Sequence, residues 1–192
     1  MRLALSLLFV TASACAQTPA ATRPAPAEPT ASRPAAPLAQ EPEDVTEAEA
    51  AVRATVARPG VHVVHLWAPW CGNSTAELAD GLYEVVEGHP DVTFSFVAIW
   101  NDGRDGADML GRYGIAPTDD GRVSVRAQPD RGPSADREGR RRTFLGLPLT
   151  WTPTTWVFNR EGQLAYAFNF GEVSPEMLAL AIDHAGRSWD HD

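Results

Sequence analysis

Apolar and polar residues alternate along the chain in blocks that predict strands and helices in a regular order. Val61 to Trp67 and Val92 to Trp100 are mostly apolar runs of strand length, a pattern typical of buried strands. The segment between them predicts an amphipathic helix, with four apolar residues on one face: Leu78, Leu82, Val85 and Val86. Gly88 to Asp91 contains glycine and proline and is expected to end that helix.

Two further helices have clear start and stop signals. Thr46 to Glu49 has the pattern of a capping box, and Pro59-Gly60 is expected to end the helix that it begins. Near the other end of the chain, Ser174 before Pro175 predicts an N-cap followed by proline in the first helical turn. That helix is expected to run to Ala185, where Gly186 follows.

The region between these helices predicts a hairpin preceded by an irregular insert. A short helix is expected around residues 107–113, and residues 116–146 are irregular apart from a strand-like piece at Arg122 to Ala127. Thr154 to Asn159 and Gln163 to Phe168 are strands on either side of a glycine-containing turn. The whole order predicts an α/β sandwich, in which a mixed central β-sheet is flanked by helices.

The first residues have the composition of an export signal. A charged start is followed by the apolar run Leu3 to Val10 and then by small residues, which is too short an apolar segment to span a membrane. Residues 1–14 are therefore interpreted as a signal peptide. The stretch also resembles a bacterial lipoprotein signal with Cys15 as the acylated residue, which would attach the protein to a membrane. Ordinary signal cleavage near Ala14 or Ala16 is the alternative, and either route predicts an exported protein of the periplasm or cell envelope.

Composition divides the remainder into a linker and a domain. Residues 15–44 are dominated by proline and alanine, with too few large apolar residues to form a core, and are interpreted as a disordered linker. Residues 45–192 are expected to form the folded domain. The formal charge of −9 argues against nucleic acid as a partner, because phosphate binding needs a basic surface.

One local segment departs from this acidic character. Four arginines lie close together in the irregular insert: Arg137, Arg140, Arg141 and Arg142. Two interpretations remain open for this cluster. It is either a binding site for anions or acidic segments of a partner, or a solvated loop, and we favour the solvated loop.

The candidate chemistry lies at the end of the first predicted strand. Trp67-Ala68-Pro69-Trp70-Cys71-Gly72-Asn73-Ser74 places a thiol where a strand gives way to a helix. A helix N-terminus favours the thiolate, the form that attacks disulfides. An alternative is that Ser74 to Glu77 is itself a capping box, in which case the helix begins at Ser74 and Cys71 lies outside its first turn.

Two segments together resemble the thioredoxin-like superfamily. The first is the Trp67 to Ser74 motif, which resembles the family's WCxxC motif with Ser74 in place of the second cysteine. The second is Trp151 to Phe158, where Pro153 matches the family's cis-proline. The lipoprotein-like start and the insert are similar to the exported, membrane-tethered TlpA-type branch.

This resemblance implies roles for individual residues. Cys71 would be the nucleophile, and Ser74 would donate a hydrogen bond that stabilises its thiolate. Trp70, Trp151, Thr152 and Pro153 would bind the substrate, with the Thr152 backbone pairing with an extended peptide. The alternative for the aromatic residues is that Trp70 and Trp151 merely cover a core containing Trp67, Trp100 and Trp156.

The resemblance leaves two functions open. The first is single-thiol disulfide exchange or isomerisation on cysteine-containing exported proteins, with the mixed disulfide released by an external thiol reductant or by the substrate's own second cysteine. The second is a redox-inactive thioredoxin-fold module that binds an exported client.

Other residues that the resemblance implicates in proton transfer are replaced here. His65 stands where relatives often have a buried acid, and Phe96 where cytosolic thioredoxins have a lysine. We interpret His65 as a hydrogen-bonded core residue. No cofactor is expected, and no metal site is predicted, because the histidines are scattered and His62 and His65 point to opposite faces of one strand.

Overall fold

A mixed five-stranded sheet forms the centre of residues 45–187, the part of the chain that the computed structural model describes. The seven strands, in chain order, are β1 His62–Trp67, β2 Thr93–Ala98, β3 Val123–Ala127, β4 Thr143–Phe144, β5 Leu147–Pro148, β6 Thr154–Phe158 and β7 Leu164–Phe168. The sheet order is β3-β2-β1-β6-β7, and β4 and β5 form a separate two-stranded ribbon. β1 pairs in parallel with β2, and β2 with β3, whereas β6 is antiparallel to both β1 and β7.

Five α-helices accompany the sheet: α1 Glu47–Val56, α2 Gly72–Glu77, α3 Tyr83–Gly88, α4 Ala107–Arg112 and α5 Pro175–Ala185. The predicted caps are confirmed, since the Thr46 side chain accepts from the Glu49 N–H and the Ser174 side chain from the Met177 N–H. The helix expected after the motif is not continuous. A π-helical turn, Leu78–Leu82, joins α2 to α3, and Gly81 within it has a φ of 113°. That left-handed conformation suits glycine and kinks the helix.

Side chains alternate along β1 and form two apolar clusters, one on each face of the sheet. Val63 and Trp67 pack with apolar residues of the α2–α3 segment and of α5. Val64 and Leu66 face the opposite side, where α1 contributes Ala48, Val52 and Val56. Helices therefore cover both faces of the central strand, and the predicted core tryptophans Trp67, Trp100 and Trp156 are all buried.

The insert, expected to be irregular, is attached to this second cluster. Phe144, Leu145 and Leu149 are fully buried there. The Leu145 N–H donates to the Glu49 carboxylate at 2.7 Å, and the Thr46 hydroxyl donates to the Gln128 side-chain carbonyl at the same distance. The start of α1 thus holds the insert at two points through buried hydrogen bonds, which periodicity alone does not predict.

The mixed sheet with helices on both faces is a thioredoxin-like α/β fold, as predicted. The signal peptide at 1–14, Cys15 and the linker at 15–44 lie outside the described residues, as do residues 188–192 of the predicted domain. No helix within residues 45–187 is both long and apolar enough to cross a membrane.

Candidate functional site

Cys71 lies directly before α2, four residues after the end of β1. Its backbone is extended (φ −88°, ψ 122°), and its carbonyl accepts from the Thr75 N–H at 3.1 Å, the first hydrogen bond of the helix. The alternative that the helix begins at Ser74 is therefore wrong. The Ser74 side chain is buried and accepts a hydrogen bond from the Ala68 N–H. It therefore does not act as the N-cap.

The Cys71 thiol faces the loop before β6. Its Sγ donates to the Thr152 carbonyl oxygen at 3.2 Å, and the Thr152–Pro153 peptide bond is cis, as predicted. The Thr154 hydroxyl donates back to the Trp151 carbonyl at 3.1 Å, which closes a tight turn around the proline. The antiparallel pairing of β6 with β1 brings these two segments together, because Thr154 is the register partner of Leu66 near the end of β1.

Ser74 has a different role from the one expected. Its hydroxyl is completely buried and accepts from the Ala68 N–H at 3.2 Å, and it lies 3.4 Å from the Thr152 hydroxyl. No hydrogen bond joins Ser74 to the Cys71 sulfur within residues 45–187. Ser74 therefore links the motif backbone to the Thr152 loop, and the expected direct contact with the thiol is corrected.

The two predicted substrate-binding tryptophans stand on the surface. Trp70 is 53% exposed and Trp151 is 49% exposed, and both line an open cleft of about 420 Å³ that also contains Cys71 and Thr152. The Trp70 indole N–H donates to the Trp100 carbonyl at 2.7 Å, which fixes its ring at the cleft wall. Trp70 and Trp151 are thus brought together with the thiol, whereas Pro153 is buried behind the cleft and does not line it.

The arginine cluster forms part of the same cleft. Arg137, Arg140 and Arg142 line it, and Arg137 and Arg142 are exposed to solvent, so this segment borders both the candidate site and the solvent. The guanidinium carbon of Arg140 lies 5.2 Å from the ring centroids of both Trp70 and Trp100. The density of arginine in the sequence was the available signal, but nothing local indicated which surface the insert would cover.

A buried acid near the motif was also missed. Glu77 lies one helical turn after Ser74, and only 2% of it is exposed. Burial raises the pKa of Glu77 to about 8. The Val173 N–H donates to the Glu77 carboxylate at 3.5 Å and opposes this shift. The charge of Glu172 adds to the shift. The carboxyl therefore holds a proton at neutral pH, inside the helix that carries the thiol. The neighbours of Glu77 along the helix, Asn73, Ser74, Asp80 and Gly81, are polar or small, so the sequence carried no signal of its burial.

His65 is a core residue, as interpreted. Its Nδ1 lies 3.0 Å from the Thr155 hydroxyl, and burial lowers its pKa to about 3, so the ring is neutral at physiological pH. The Phe96 ring, its register partner on β2, packs against it with centroids 5.5 Å apart. His65 does not line the cleft, and its apolar surroundings explain why a charged side chain would be costly at this position.

Several solved structures are similar to this chain. A secreted disulfide oxidoreductase of Mycobacterium tuberculosis, homologous to E. coli DsbE, is 19% identical, with a TM-score of 0.47 over 68% of this chain and 85% of its own. A DsbF homologue from Corynebacterium diphtheriae is 22% identical, with a TM-score of 0.49 over 68% and 74% of the two chains. A secreted thiol-disulfide isomerase from Corynebacterium glutamicum is 21% identical, with a TM-score of 0.48 over 69% and 74%.

Two comparisons by sequence found no match. No family model matches this chain. No curated protein matches it either. The sheet order, and the position of the Cys71 motif against the cis Thr152–Pro153 loop, are those of a thioredoxin-like fold.

Proposed function

We propose that this protein is an exported thiol–disulfide exchange protein of the single-thiol type, with isomerase-like activity on cysteine-containing envelope proteins. The observation that carries the proposal is the placement of the half-buried Cys71 sulfur, 3.2 Å from the Thr152 carbonyl, in an open cleft between two exposed tryptophans. Arginine side chains line the same cleft, and a partly exposed, electropositive setting is where reactive cysteines are found.

The proposed chemistry needs one sulfur from the protein. The Cys71 thiolate attacks one sulfur of a client disulfide, the client S–S bond breaks, and the second client sulfur leaves as a thiolate. Ser74 has no sulfur with which to release the mixed disulfide. A thiol of the client then attacks its own bound sulfur, which forms a new client disulfide and returns the Cys71 thiolate. Alternatively, an external thiol attacks the Cys71 sulfur, so that the client leaves as a thiolate and the external sulfur is bonded to Cys71. A second external thiol then attacks that external sulfur, which forms an external disulfide and returns the Cys71 thiolate.

The second candidate is a redox-inactive module that binds an exported client in the same cleft. The observation in its favour is that the binding elements do not depend on sulfur chemistry. Trp70 is fixed by its bond to the Trp100 carbonyl, and Thr152 presents main-chain groups beside it whether or not Cys71 reacts.

A disulfide-scrambled model protein separates the two candidates. The full chain carrying Cys15→Ser has Cys71 as its one thiol, and it is compared with the same chain carrying Cys71→Ser in addition. We expect the first to restore native disulfides and to be trapped in mixed disulfides, and the second to do neither. Equal behaviour of the two chains, with clients still captured by both, would favour the binding module.

Export and lipid attachment through Cys15 are part of the proposal and rest on the leader-like N-terminal segment. Expression of the full chain in a bacterial host, followed by cell fractionation, tests both. We expect the protein in the membrane fraction of the envelope and its Cys15→Ser variant in the soluble envelope fraction. Recovery of both variants in the cytoplasm would contradict export.

A further inference from the structure

We infer that the arginine side of the cleft selects client segments that carry acidic residues beside the reactive cysteine. This inference rests on the proposed function and specifies its substrate class. The occupant is an extended acidic peptide of an exported client, whose sulfur meets Cys71 and whose carboxylates meet Arg137, Arg140 and Arg142.

The charge of the cleft is opposite to that of the chain. The chain has a formal charge of −9, yet three arginines and no aspartate or glutamate line the cleft. None of the three arginines forms an ion pair with another residue of the described range 45–187. Five acids belong to the same insert: Asp119, Asp120, Asp130, Asp136 and Glu138. None of them lines the cleft. Burial raises the pKa of Asp130, and the charge of Arg140 opposes that shift.

Arg140 is held in position before any ligand arrives. Its guanidinium packs against the Trp70 and Trp100 rings, and its Nε donates to the Ser134 carbonyl at 2.6 Å. Ser134 in turn donates to the Asp102 carboxylate through both its N–H and its hydroxyl, at 2.8 and 2.7 Å. A guanidinium fixed in this way loses little conformational freedom when it binds a carboxylate, and its remaining N–H groups suit that planar acceptor.

The two other arginines are less constrained and extend the positive surface. Arg137 and Arg142 are both exposed to some degree at the cleft, and Arg142 is tied to the segment by a hydrogen bond from its guanidinium to the Arg137 carbonyl at 3.3 Å. Exposed charges at the rim of a binding site act mainly on association rates and on the choice of partner. Basic clients are accordingly disfavoured by like-charge repulsion.

The apolar walls indicate a peptide in preference to a small anion. About half of each of Trp70 and Trp151 is exposed at the cleft. A small carboxylate bound at the arginines would leave this apolar surface in water. A peptide segment in extended conformation covers both rings and reaches the Thr152 backbone beside the sulfur, a geometry of strand addition.

Three peptide disulfides test the inference. They share one sequence except at the residues that flank the cysteine, which are glutamate in the first, glutamine in the second and lysine in the third. The measurement is the rate of mixed-disulfide formation with the full chain carrying Cys15→Ser. We expect the glutamate peptide to react about tenfold faster than the lysine peptide at low ionic strength, with glutamine in between. The difference should shrink in about 0.5 M salt, because salt screens exposed charges.

Arg137→Glu should reduce or reverse this preference, and Arg160→Glu is its matched control. Both substitutions replace an exposed arginine and change the net charge equally. Arg160 lies in the β6–β7 turn, and the pairing of His62 with Phe158 places that turn near the start of β1, at the opposite end from Cys71. Equal effects of the two substitutions would show that net charge alone is sensed and would overturn the inference.

The neutral reagent 2,2′-dipyridyl disulfide separates this inference from the proposed function. If Cys71 reacts with the reagent but all three peptides react equally, the inference is overturned and the proposed function stands. If Cys71 reacts with no disulfide, the proposed function fails. Tryptophan fluorescence titration of the three peptides then decides the inference, which stands if the glutamate peptide binds tightest and falls if it does not. Faster reaction of glutathione disulfide than of the glutamate peptide would overturn the peptide as occupant.

Discussion

The Cys71 sulfur and the Thr152 carbonyl oxygen lie 3.2 Å apart, although 81 positions separate the two residues in sequence. The Thr152 side chain also contacts the motif, because its hydroxyl is 3.4 Å from that of Ser74. Thr152 therefore touches both ends of the Cys-Gly-Asn-Ser segment, once through its main chain and once through its side chain. The orientation of the thiol and the position of the loop are consequently coupled.

Ser74→Cys should give the protein the resolving thiol that it lacks. Serine and cysteine are close in size, and position 74 lies on the same short helix that follows Cys71. We expect the introduced thiol to attack mixed disulfides at Cys71 and to form an internal disulfide. The variant should then catalyse insulin reduction by dithiothreitol, with less trapped client than the parent chain.

Ser74→Ala is the control for that experiment. It removes the hydroxyl without adding sulfur, so it should show no gain in insulin reduction. It also removes the acceptor of the buried Ala68 N–H, which should lower the free energy of unfolding by about 1–3 kcal/mol. A gain in turnover with alanine would contradict the resolving role of the new thiol.

Glu77→Gln should remove a pH-dependent loss of stability. Burial raises the pKa of this carboxyl from 4.5 to about 8 in the folded protein. The unfolded chain therefore releases this proton first, and the contribution of Glu77 to the free energy of unfolding falls as the pH rises from 4.5 to about 8. The fall is at most about 1.4 kcal/mol for each unit between the two pKa values.

Urea unfolding of the parent chain and of the Glu77→Gln variant at several pH values checks this. Glutamine resembles the protonated acid in shape. The substitution should therefore reduce the change in the free energy of unfolding between pH 4.5 and about 8. Glu176→Gln, on the surface of α5, provides a control without a buried carboxyl. A parent chain whose stability is constant across that whole window would contradict the proposed protonated state.

His65 should affect stability on the acid side. Its folded pKa of about 3 lies below the ordinary value of 6.5, so below pH 6.5 the unfolded chain binds a proton that the folded chain does not. The contribution of His65 to the free energy of unfolding should fall as the pH decreases from 6.5 to about 3. His65→Gln carries an amide that can donate to or accept from the Thr155 hydroxyl, and it should reduce this fall, as measured by urea unfolding at neutral pH and at several points within that range.

His62 contributes a smaller fall in the same direction, because burial also lowers its pKa. His62→Gln is therefore a useful comparison. On the acid side, His65→Gln should reduce the pH dependence of the free energy of unfolding more than His62→Gln does. An acid profile that is the same in the parent and in His65→Gln would show that folding does not lower the pKa of His65.

Gly106→Ala should disturb the support of the motif. A Cβ at position 106 would lie 2.8 Å from the Trp67 ring and 2.9 Å from Pro69, which is closer than carbon atoms pack. Gly103→Ala is a matched control, because its φ of 71° is almost the same as the 70° of Gly106 and its Cβ would meet nothing within 4 Å.

Both alanines carry the cost of a left-handed backbone, about 1–2 kcal/mol. Only Gly106→Ala adds the overlap with Trp67, so its loss of unfolding free energy should exceed that of Gly103→Ala by a further ~1–3 kcal/mol. It should also slow reaction of Cys71 with a neutral disulfide, since Pro69 is two residues from the thiol. Equal losses for the two variants would contradict the close packing of Gly106 against the motif.

The elements that local patterns specify were predicted well. The capping box at Thr46, the Ser174-Pro175 start and the apolar runs of β1 and β2 each depend on residues close in sequence, and each was found within a few positions of its predicted place. The kink at Gly81 was missed, because the apolar face of the helix continues across the π-helical turn without a break in its spacing.

The sequence by itself determined the order along the chain of the five strands of the central sheet, the position of Cys71 after the first of them, and the absence of a cysteine at position 74. These features depend on side-chain periodicity and on chemical identity. Only the tertiary structure decided that Ser74 bonds to Ala68 and lies against Thr152, that Glu77 is buried, and that the arginine insert lines the cleft. Each of these depends on which distant segments the sheet order and the anchoring of the insert on α1 bring into contact, and desolvation and hydrogen bonding act only after that contact is made.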